Sequence, residues 1–283
     1  MKKPQWITII IALTVTIGVF ALTQNQIFGV HKKPSAASHP TAGNTSITID
    51  TILQHAKEAL KPDQLAQLQE IENTLTQTSS APDKAHTFHR LSRFWGDNAR
   101  VFEPYAWYMA EAARLENSEN SLTFAAHLFL DNLTTEESPE LKKWKALQAK
   151  DLFERSLKIN PANDSAQVGL GATYLFGGIS NSPMEGIQKI RQVVERDSTN
   201  VYAQLTLGRA SMMSGQLDKA IERFKKVATI QPHNLEAILT LADAYERKGS
   251  KEEAIVWYKK SLPLIQITGL RKEVEQRINE LSR

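Results

Sequence analysis

The sequence predicts an all-α fold in which repeated helix–turn–helix units form an α-solenoid, a right-handed superhelix, behind an N-terminal transmembrane helix. Three observations predict it. After residue 49, apolar residues recur at spacings of three and four rather than two, which is the period of a helix. Residues 201–234 align with residues 235–268 at an offset of 34. An uncharged apolar run occupies residues 6–22.

Residues 1–30 are predicted to be a membrane anchor or export signal. The 17 residues from Trp6 to Leu22 carry no charge and are mostly apolar, with three Thr and one Gly among them. A helix of this length, continued to Phe28, approaches the thickness of a hydrocarbon core. Lys2 and Lys3 precede the run and are expected to stay in the cytoplasm. This predicts a single-pass inner-membrane protein with its body in the periplasm. The alternative is a cleaved signal peptide, which would leave a periplasmic protein.

Residues 31–48 are predicted to be a flexible linker, because Pro, Ser, Ala and Thr dominate and no apolar period is present. The net charge of the chain is +3, and residues 1–48 contain four lysines and no acidic residue. The remainder therefore carries +3 − 4 = −1, so no basic excess for nucleic acid is expected in the body. The chain has no cysteine, which excludes disulfides, thiolate metal sites and thiol nucleophiles.

The 34-residue period depends on chemically matched positions in two consecutive units. The matched pairs are Ala203 and Ala237, Leu207 and Leu241, Gly215 and Gly249, Ala220 and Ala254, and Phe224 and Tyr258. Small residues at positions eight (Gly171, Gly208, Ala242) and twenty (Gly186, Ala220, Ala254) let paired helices cross closely, and large residues at position twenty-four fill the space beside them. At these residues the chain resembles the tetratricopeptide repeat family, and in particular its membrane-anchored bacterial periplasmic members.

The resemblance implies a division of the chain into repeat units and flanking helical regions. Four units are predicted within 119–268, and their bounds are 119–163, 164–200, 201–234 and 235–268. The first unit carries an insertion of about 11 residues, estimated from the spacing of its small residues, after which Ser138 restarts a helix. Residues 49–118 are predicted to be degenerate helix pairs, with helices near 51–60, 63–78, 83–96 and 104–116. Residues 269–283 are predicted to be a capping helix.

Turn signals support these units. Gly215 and Gly249 stand where a helix must end in a left-handed residue. Ser250 and Glu253 have the spacing of a capping box at the start of the next helix.

No group of residues in the sequence predicts catalysis or a cofactor. His86 and His89 share a helix face, but no convincing set of metal ligands accompanies them, so ordinary packing or surface histidines are expected. Trp95, Trp107 and Trp144 are expected to pack between helices. No nucleophile elbow, phosphate loop or zinc-protease motif is present. The sequence therefore predicts a non-enzymatic protein without metal or cofactor.

The resemblance implies that the first helix of each unit lines a concave groove. The groove residues it implies are Val168, Ala172, Leu175, Phe176, Tyr202, Leu205, Arg209, Met212, Met213, Leu239, Asp243, Glu246 and Arg247. One branch of the family holds a terminal carboxylate with Lys and Asn at two of these positions, and those residue types are missing here. The side chains that are present predict recognition of an amphipathic helix or an extended apolar segment. The opposing interpretation is that the apolar members pack on neighbouring repeats.

The predicted function is a non-catalytic scaffold or adaptor that binds another protein near the inner membrane. An assembly factor or chaperone for an envelope complex, for example in cytochrome c maturation, pilus or outer-membrane biogenesis, is the main alternative. An enzyme with a small-molecule site in the aromatic region before residue 119 is a remote one. No nucleic acid or small-molecule ligand is predicted.

Overall fold

The structure, a computed structural model, describes residues 47–179 and 183–283. Every regular element within these residues is helical. The α-helices are α1 Ile49–Glu58, α2 Pro62–Gln77, α3 Ala81–Arg93, α4 Phe102–Glu116, α5 Glu119–Leu133, α6 Pro139–Ile159, α7 Asp164–Phe176, α8 Pro183–Arg196, α9 Val201–Met213, α10 Leu217–Ile230, α11 Leu235–Lys248, α12 Lys251–Ser261 and α13 Thr268–Leu281. The prediction of an all-α helical repeat solenoid is confirmed for this part of the chain.

The chain divides into two compact units, each described here by itself. The N-terminal unit contains α1–α7, and the C-terminal unit contains α8–α13. In both units most helices that follow one another in sequence pack against each other, whereas α1 packs against α4. Such packing buries the apolar stripes of amphipathic helices.

Two apolar clusters hold the N-terminal unit together. The first joins α2, α3 and α4 around Leu68, Leu91 and Trp95, all fully buried. The second joins α4, α5, α6 and α7 around Phe129 and Phe153. Helices α1 to α4 begin and end within three residues of the bounds predicted for this region.

The predicted insertion lengthens α6 at its N-terminal end. The Ser138 side chain accepts a hydrogen bond from the Leu141 amide at 3.2 Å and so caps this helix, as the sequence predicts. The added turns carry Trp144, whose ring meets Phe129 edge-on with centroids 5.5 Å apart. The inserted residues therefore add core to the N-terminal unit.

The C-terminal unit is built on two hairpins, α9 with α10 and α11 with α12, which share one core with α13. At Gly208 an added Cβ would lie 2.4 Å from the Phe224 ring, so the hairpin crosses as closely as the small-residue pattern predicts. The last helix, α13, contributes buried Val274 and Ile278 to the same core. Its bounds lie within two residues of the predicted capping helix.

The helix ends are set by glycine and asparagine. Gly215 and Gly249 have φ of 72° and 85°, which confirms the predicted left-handed residues. The capping box at Ser250 is wrong, because the Ser250 side chain makes no cap hydrogen bond. Helices α7, α9 and α11 each begin after an asparagine whose side-chain oxygen accepts from an alanine amide three residues later, at 2.9 to 3.0 Å: Asn163, Asn200 and Asn234.

The predicted membrane segment, residues 6–28, and the predicted linker up to residue 46 lie outside the described residues. Among the helices of residues 47–179 and 183–283, none combines the length and the apolar character that crossing a bilayer requires.

Candidate protein-binding face

Helices α9 and α11 carry most of the residues that the sequence predicts for the groove. The side chains in question recur at spacings of three and four along each helix, so each set shares one helix face. We call these ten positions the first-helix face of the C-terminal unit. Nine of them are the predicted groove residues of these helices, namely Tyr202, Leu205, Arg209, Met212 and Met213 on α9 and Leu239, Asp243, Glu246 and Arg247 on α11. The tenth is Glu236, which lies three residues before Leu239 on α11.

An ion pair joins the two helices across this face. The Arg209 guanidinium on α9 donates to the carboxylate of Glu236 on α11. Both side chains are at least two-thirds covered, so the pair is less screened than a fully exposed one. The structure therefore places Arg209 of α9 beside Glu236 of α11.

A second ion pair lies farther along α11. Arg247 donates from Nε to Asp243 Oδ1 at 3.0 Å. Burial raises the pKa of Asp243 above its ordinary value, although the attraction of Arg247 acts in the opposite direction. The Asp243 side chain is partly buried, with 34% of its surface exposed.

The Glu246 carboxylate binds side chains at the C-terminal end of the unit. It accepts from the Tyr258 hydroxyl on α12 at 2.9 Å and from the Arg277 guanidinium on α13. The hydrogen bond that Arg277 donates to Glu246 raises the pKa of Arg277 above its ordinary value. Because α11, α12 and α13 meet at this carboxylate, its first role in the structure is to tie the last helix to the last hairpin.

The apolar members of the face differ in exposure. Leu205 is buried in the core of the C-terminal unit. Tyr202, Met212 and Leu239 are partly buried, and Met213 is 71% exposed at the C-terminal end of α9. The side chains available to a partner are therefore the three partly buried ones and Met213.

The four predicted groove residues of the N-terminal unit lie on α7. Val168 and Ala172 are buried, whereas Leu175 and Phe176 are partly buried at the end of the helix. Phe176 packs against the second apolar cluster of that unit. The first two contribute to packing in the described conformation, and binding by the other two stays a prediction.

A residue outside the predicted set links the first helices of the N-terminal unit. His127 on α5 contacts Ser165 Oγ on α7 through Nε2 at 3.0 Å, and its ring meets Phe153 edge-on with centroids 5.1 Å apart. Burial lowers the pKa of His127 to about 4. His127 occupies the ninth position of the first predicted unit. This is one of the first-helix positions that the resemblance assigns to the groove, so the sequence could have pointed to it.

His127 predicts a loss of stability in mild acid. Its folded pKa lies below the unfolded value of about 6.5, so the unfolded chain binds the proton first. The contribution of this neutral histidine to the free energy of unfolding is fully present above pH 6.5. It is lost as pH falls towards 4, where the loss reaches about 3 kcal/mol. Urea unfolding followed by circular dichroism at pH 7.5, 6 and 5 measures this slope. His127→Gln is expected to remove it, and the exposed control His55→Gln is expected to keep it.

The described residues contain no group of three or more His, Asp or Glu side chains that could hold a metal ion. Trp95 and Trp144 are buried among other side chains, as the sequence predicts.

Residues 211–264, which run from the end of α9 through α12, match the family model described as tetratricopeptide repeat. This segment carries tetratricopeptide repeats. The match covers the helices on which the 34-residue period is clearest. No match was found among curated proteins.

Solved tetratricopeptide repeat structures share the fold. A tetratricopeptide repeat protein from Parabacteroides merdae is 14% identical with a TM-score of 0.55, and the match covers 82% of this chain and 86% of that chain. A thermophilic tetratricopeptide repeat protein from Thermus thermophilus is 15% identical with a TM-score of 0.50, covering 70% and 98%. At these identities the likeness shows the fold alone.

Proposed function

We propose that this protein is a non-catalytic scaffold or adaptor that holds a helical or extended segment of another protein on the first-helix face. The observation that carries the proposal is that the charged side chains of the face already have ion-pair partners, whereas Met213 is exposed and three further apolar side chains are only partly buried. A fold does not fix a function, so the proposal depends on the face itself.

The chemistry of the face supports a polypeptide ligand. Met212 and Met213 are unbranched and polarisable, so they adapt to irregular partner surfaces. Tyr202 offers a broad apolar ring with a polar tip, a type of side chain that is enriched at interfaces. Leu239 supplies an aliphatic contact on the neighbouring helix. An amphipathic helix that presents its apolar side to these residues is the partner that fits best.

The proposal includes a membrane anchor. Residues 6–28 have the apolar length for a single crossing, and Lys2 and Lys3 orient the remainder of the chain into the periplasm. Sizing of the mature protein and carbonate washing of membranes test this part. A soluble product that begins near residue 22 would contradict the anchor.

The binding proposal is tested by Met213→Asp in the full chain. The side chain is exposed, so the free energy of unfolding is expected to change by no more than about 0.5 kcal/mol. Capture of the partner is measured by crosslinking in membranes followed by pull-down. A charge placed in an apolar contact is expected to lower the amount of captured partner about tenfold. Val256→Asp is the matched control, because Val256 on α12 is 50% exposed and lies outside the face.

If a folded Met213→Asp protein captures as much partner as the unchanged protein, the first-helix face does not take part in the interaction. Stoichiometric co-purification of the partner is expected for a scaffold. Transient capture of many unfolded clients would favour the assembly-factor alternative.

A further inference from the structure

The two compact units carry net charges of opposite sign. Residues 183–283 of the C-terminal unit contain 17 Lys and Arg and 13 Asp and Glu, which gives a net charge of +4. Residues 47–179 of the N-terminal unit contain 13 Lys and Arg and 18 Asp and Glu, which gives a net charge of −5. The net charge of −1 for the body therefore conceals a basic excess in the C-terminal unit.

Helix α10 carries cations that have no carboxylate partner. They are Lys219, Arg223, Lys225 and Lys226, and within residues 183–283 none of them forms an ion pair. On the first-helix face, by contrast, each charged side chain has an opposite charge beside it. The cations of α10 are therefore the ones that an anion from outside can bind without breaking an existing ion pair.

Three of these cations share one face of α10. Lys219, Arg223 and Lys226 recur at spacings of four and three. Burial lowers the pKa of Arg223 below its ordinary value, Glu222 acts in the opposite direction, and the positive charge of Arg191 on α8 lowers the pKa further. The charge of Arg191 thus acts on Arg223 from the neighbouring helix. We call Arg191, Lys219, Arg223 and Lys226 the α8–α10 basic stripe.

Two carboxylates act on the stripe from nearby. Glu222 on α10 attracts Arg223, and Asp197, in the turn after α8, attracts Lys226. Neither forms an ion pair with the stripe, and the exposed Arg191 has no ion-pair partner among the described residues. Four cations and two carboxylates leave this surface with a net charge of +2. It therefore attracts an anion.

The Arg223 guanidinium is held in place by a buried amide. Its Nη1 donates to Gln204 Oε1 on α9 at 2.9 Å, and Gln204 Nε2 donates to the Ser198 carbonyl at 2.8 Å. Gln204 is only 3% exposed, so its amide is fixed on both sides. Nε and Nη2 of Arg223 have no partner among the described residues. These two groups form the edge of a guanidinium that binds a carboxylate through two parallel hydrogen bonds.

We propose that the α8–α10 basic stripe binds an acidic segment of a partner polypeptide, with one carboxylate on the Nε and Nη2 edge of Arg223. Along the helix axis, Lys219 lies about 6 Å from Arg223 and about 10 Å from Lys226. Side chains on one side of an extended peptide recur every ~6.6 Å, so acidic residues at alternate positions match this spacing. The inference goes beyond the proposed function, because no residue of the stripe belongs to the first-helix face.

The size of the stripe favours a peptide over a long polyanion. Four cations over about 10 Å of helix can neutralise only a few anionic groups. A nucleic-acid strand or an anionic membrane presents many more, and the described body as a whole carries a net charge of −1. A segment with two or three carboxylates is therefore the ligand whose charge the stripe matches.

Binding is measured with a labelled synthetic peptide in which Glu and Ala alternate. The peptide is titrated against the full chain in a non-ionic detergent at low ionic strength, and fluorescence anisotropy reports binding. The same peptide with Gln in place of Glu is expected to bind at least about tenfold more weakly. Met213→Asp in the first-helix face is expected to leave binding of the Glu peptide unchanged, so this test and the test of the proposed function give separate answers.

Arg191→Gln is the decisive variant. It is expected to lower the affinity for the Glu peptide about fivefold. Because it removes a like charge beside Arg223, its urea midpoint is expected to be unchanged or higher. Lys259→Gln is the matched control, since it removes the same charge from an exposed position on α12 outside the stripe. It is expected to change the affinity by less than about twofold.

Arg223→Lys tests the guanidinium edge. It keeps the charge but loses the planar pair of donors, and it is expected to lower the affinity about threefold. Its urea midpoint is measured alongside, because Gln204 loses its hydrogen-bond donor in this variant. Arg191→Gln decides the matter if Arg223→Lys does not fold.

Three results would overturn the inference. One is equal affinity for the Glu and Gln peptides, and another is equal affinity of the Arg191→Gln and Lys259→Gln proteins for the Glu peptide. The third is an oligothymidylate of the same charge, or inorganic phosphate at the same concentration, that binds more tightly than the Glu peptide and is weakened by Arg191→Gln. It would assign the stripe to a nucleic-acid strand or to a free phosphate.

Discussion

Gly208→Leu is expected to lower the free energy of unfolding of the C-terminal unit by about 3 kcal/mol. An added Cβ at this position would lie 2.4 Å from Cε1 and 2.8 Å from Cζ of Phe224, which is fully buried. A ring held on all sides by the core cannot move away without displacing other side chains. The gain in helix propensity on removing a glycine, about 1 kcal/mol at most, offsets only part of this cost.

The midpoint of urea unfolding, followed by circular dichroism, measures the effect. Gly269→Leu is the matched control, because Gly269 lies in the first turn of α13 with no atom within 4 Å of an added Cβ. It is expected to be neutral or slightly stabilising. Equal midpoints for the two variants would show that α9 and α10 do not cross as closely as described. Gly169→Leu, where an added Cβ would lie 2.3 Å from the Phe153 ring, repeats the test in the N-terminal unit.

Lys145→Met is expected to destabilise the N-terminal unit by about 3 kcal/mol. The Lys145 side chain is only 1% exposed, and its Nζ donates to Glu103 at 2.8 Å and to Glu136 and Asn132 at 2.5 Å each. Removal of the cation leaves two poorly exposed carboxylates without their counter-charge. The three partners lie on α4, on α5 and in the turn before α6. Loss of the cation is therefore expected to destabilise the whole N-terminal unit.

Thermal or urea unfolding checks this prediction, with the exposed neighbour Lys143→Met as the control. The double variant Lys145→Met with Glu136→Gln is expected to recover part of the loss. Burial raises the pKa of Glu136, but hydrogen bonds from Lys145 and Ser138 outweigh it and lower the pKa overall. The stability from this group is present above the unfolded pKa of about 4.3 and is lost as pH falls. A Lys145→Met protein as stable as Lys143→Met would contradict the buried network.

Much of the local structure follows from short-range signals. The period of the apolar residues fixes helices, the glycines at 215 and 249 fix two helix ends, and Ser138 fixes a start. The repeated asparagine caps at Asn163, Asn200 and Asn234 were also readable, since each stands three residues before a small residue in successive units. The expected cap at Ser250 failed because a capping pattern states what a side chain can do, whereas the turn geometry decides whether it does.

The exposure and pairing of side chains on the first-helix face could not be predicted from the sequence. Helical spacing alone places Leu205 and Met213 together, yet one is in the core and the other is 71% exposed. Glu246 has the spacing of a groove residue, but Arg277 of α13, 31 residues away, binds it. No local pattern predicts such a pairing, because it depends on how α13 packs against the last hairpin.

The sequence by itself determined the class of the fold, the repeat and the small residues that let helices cross, because these depend on interactions within one or two turns of helix and on a period that repeats. The tertiary structure alone decided which side chains of α9 and α11 stay available and that a lysine in the inserted turns of α6 is buried between carboxylates. Exposure and ion pairing depend on residues that are distant in sequence, and their positions are set by the packing of the complete unit.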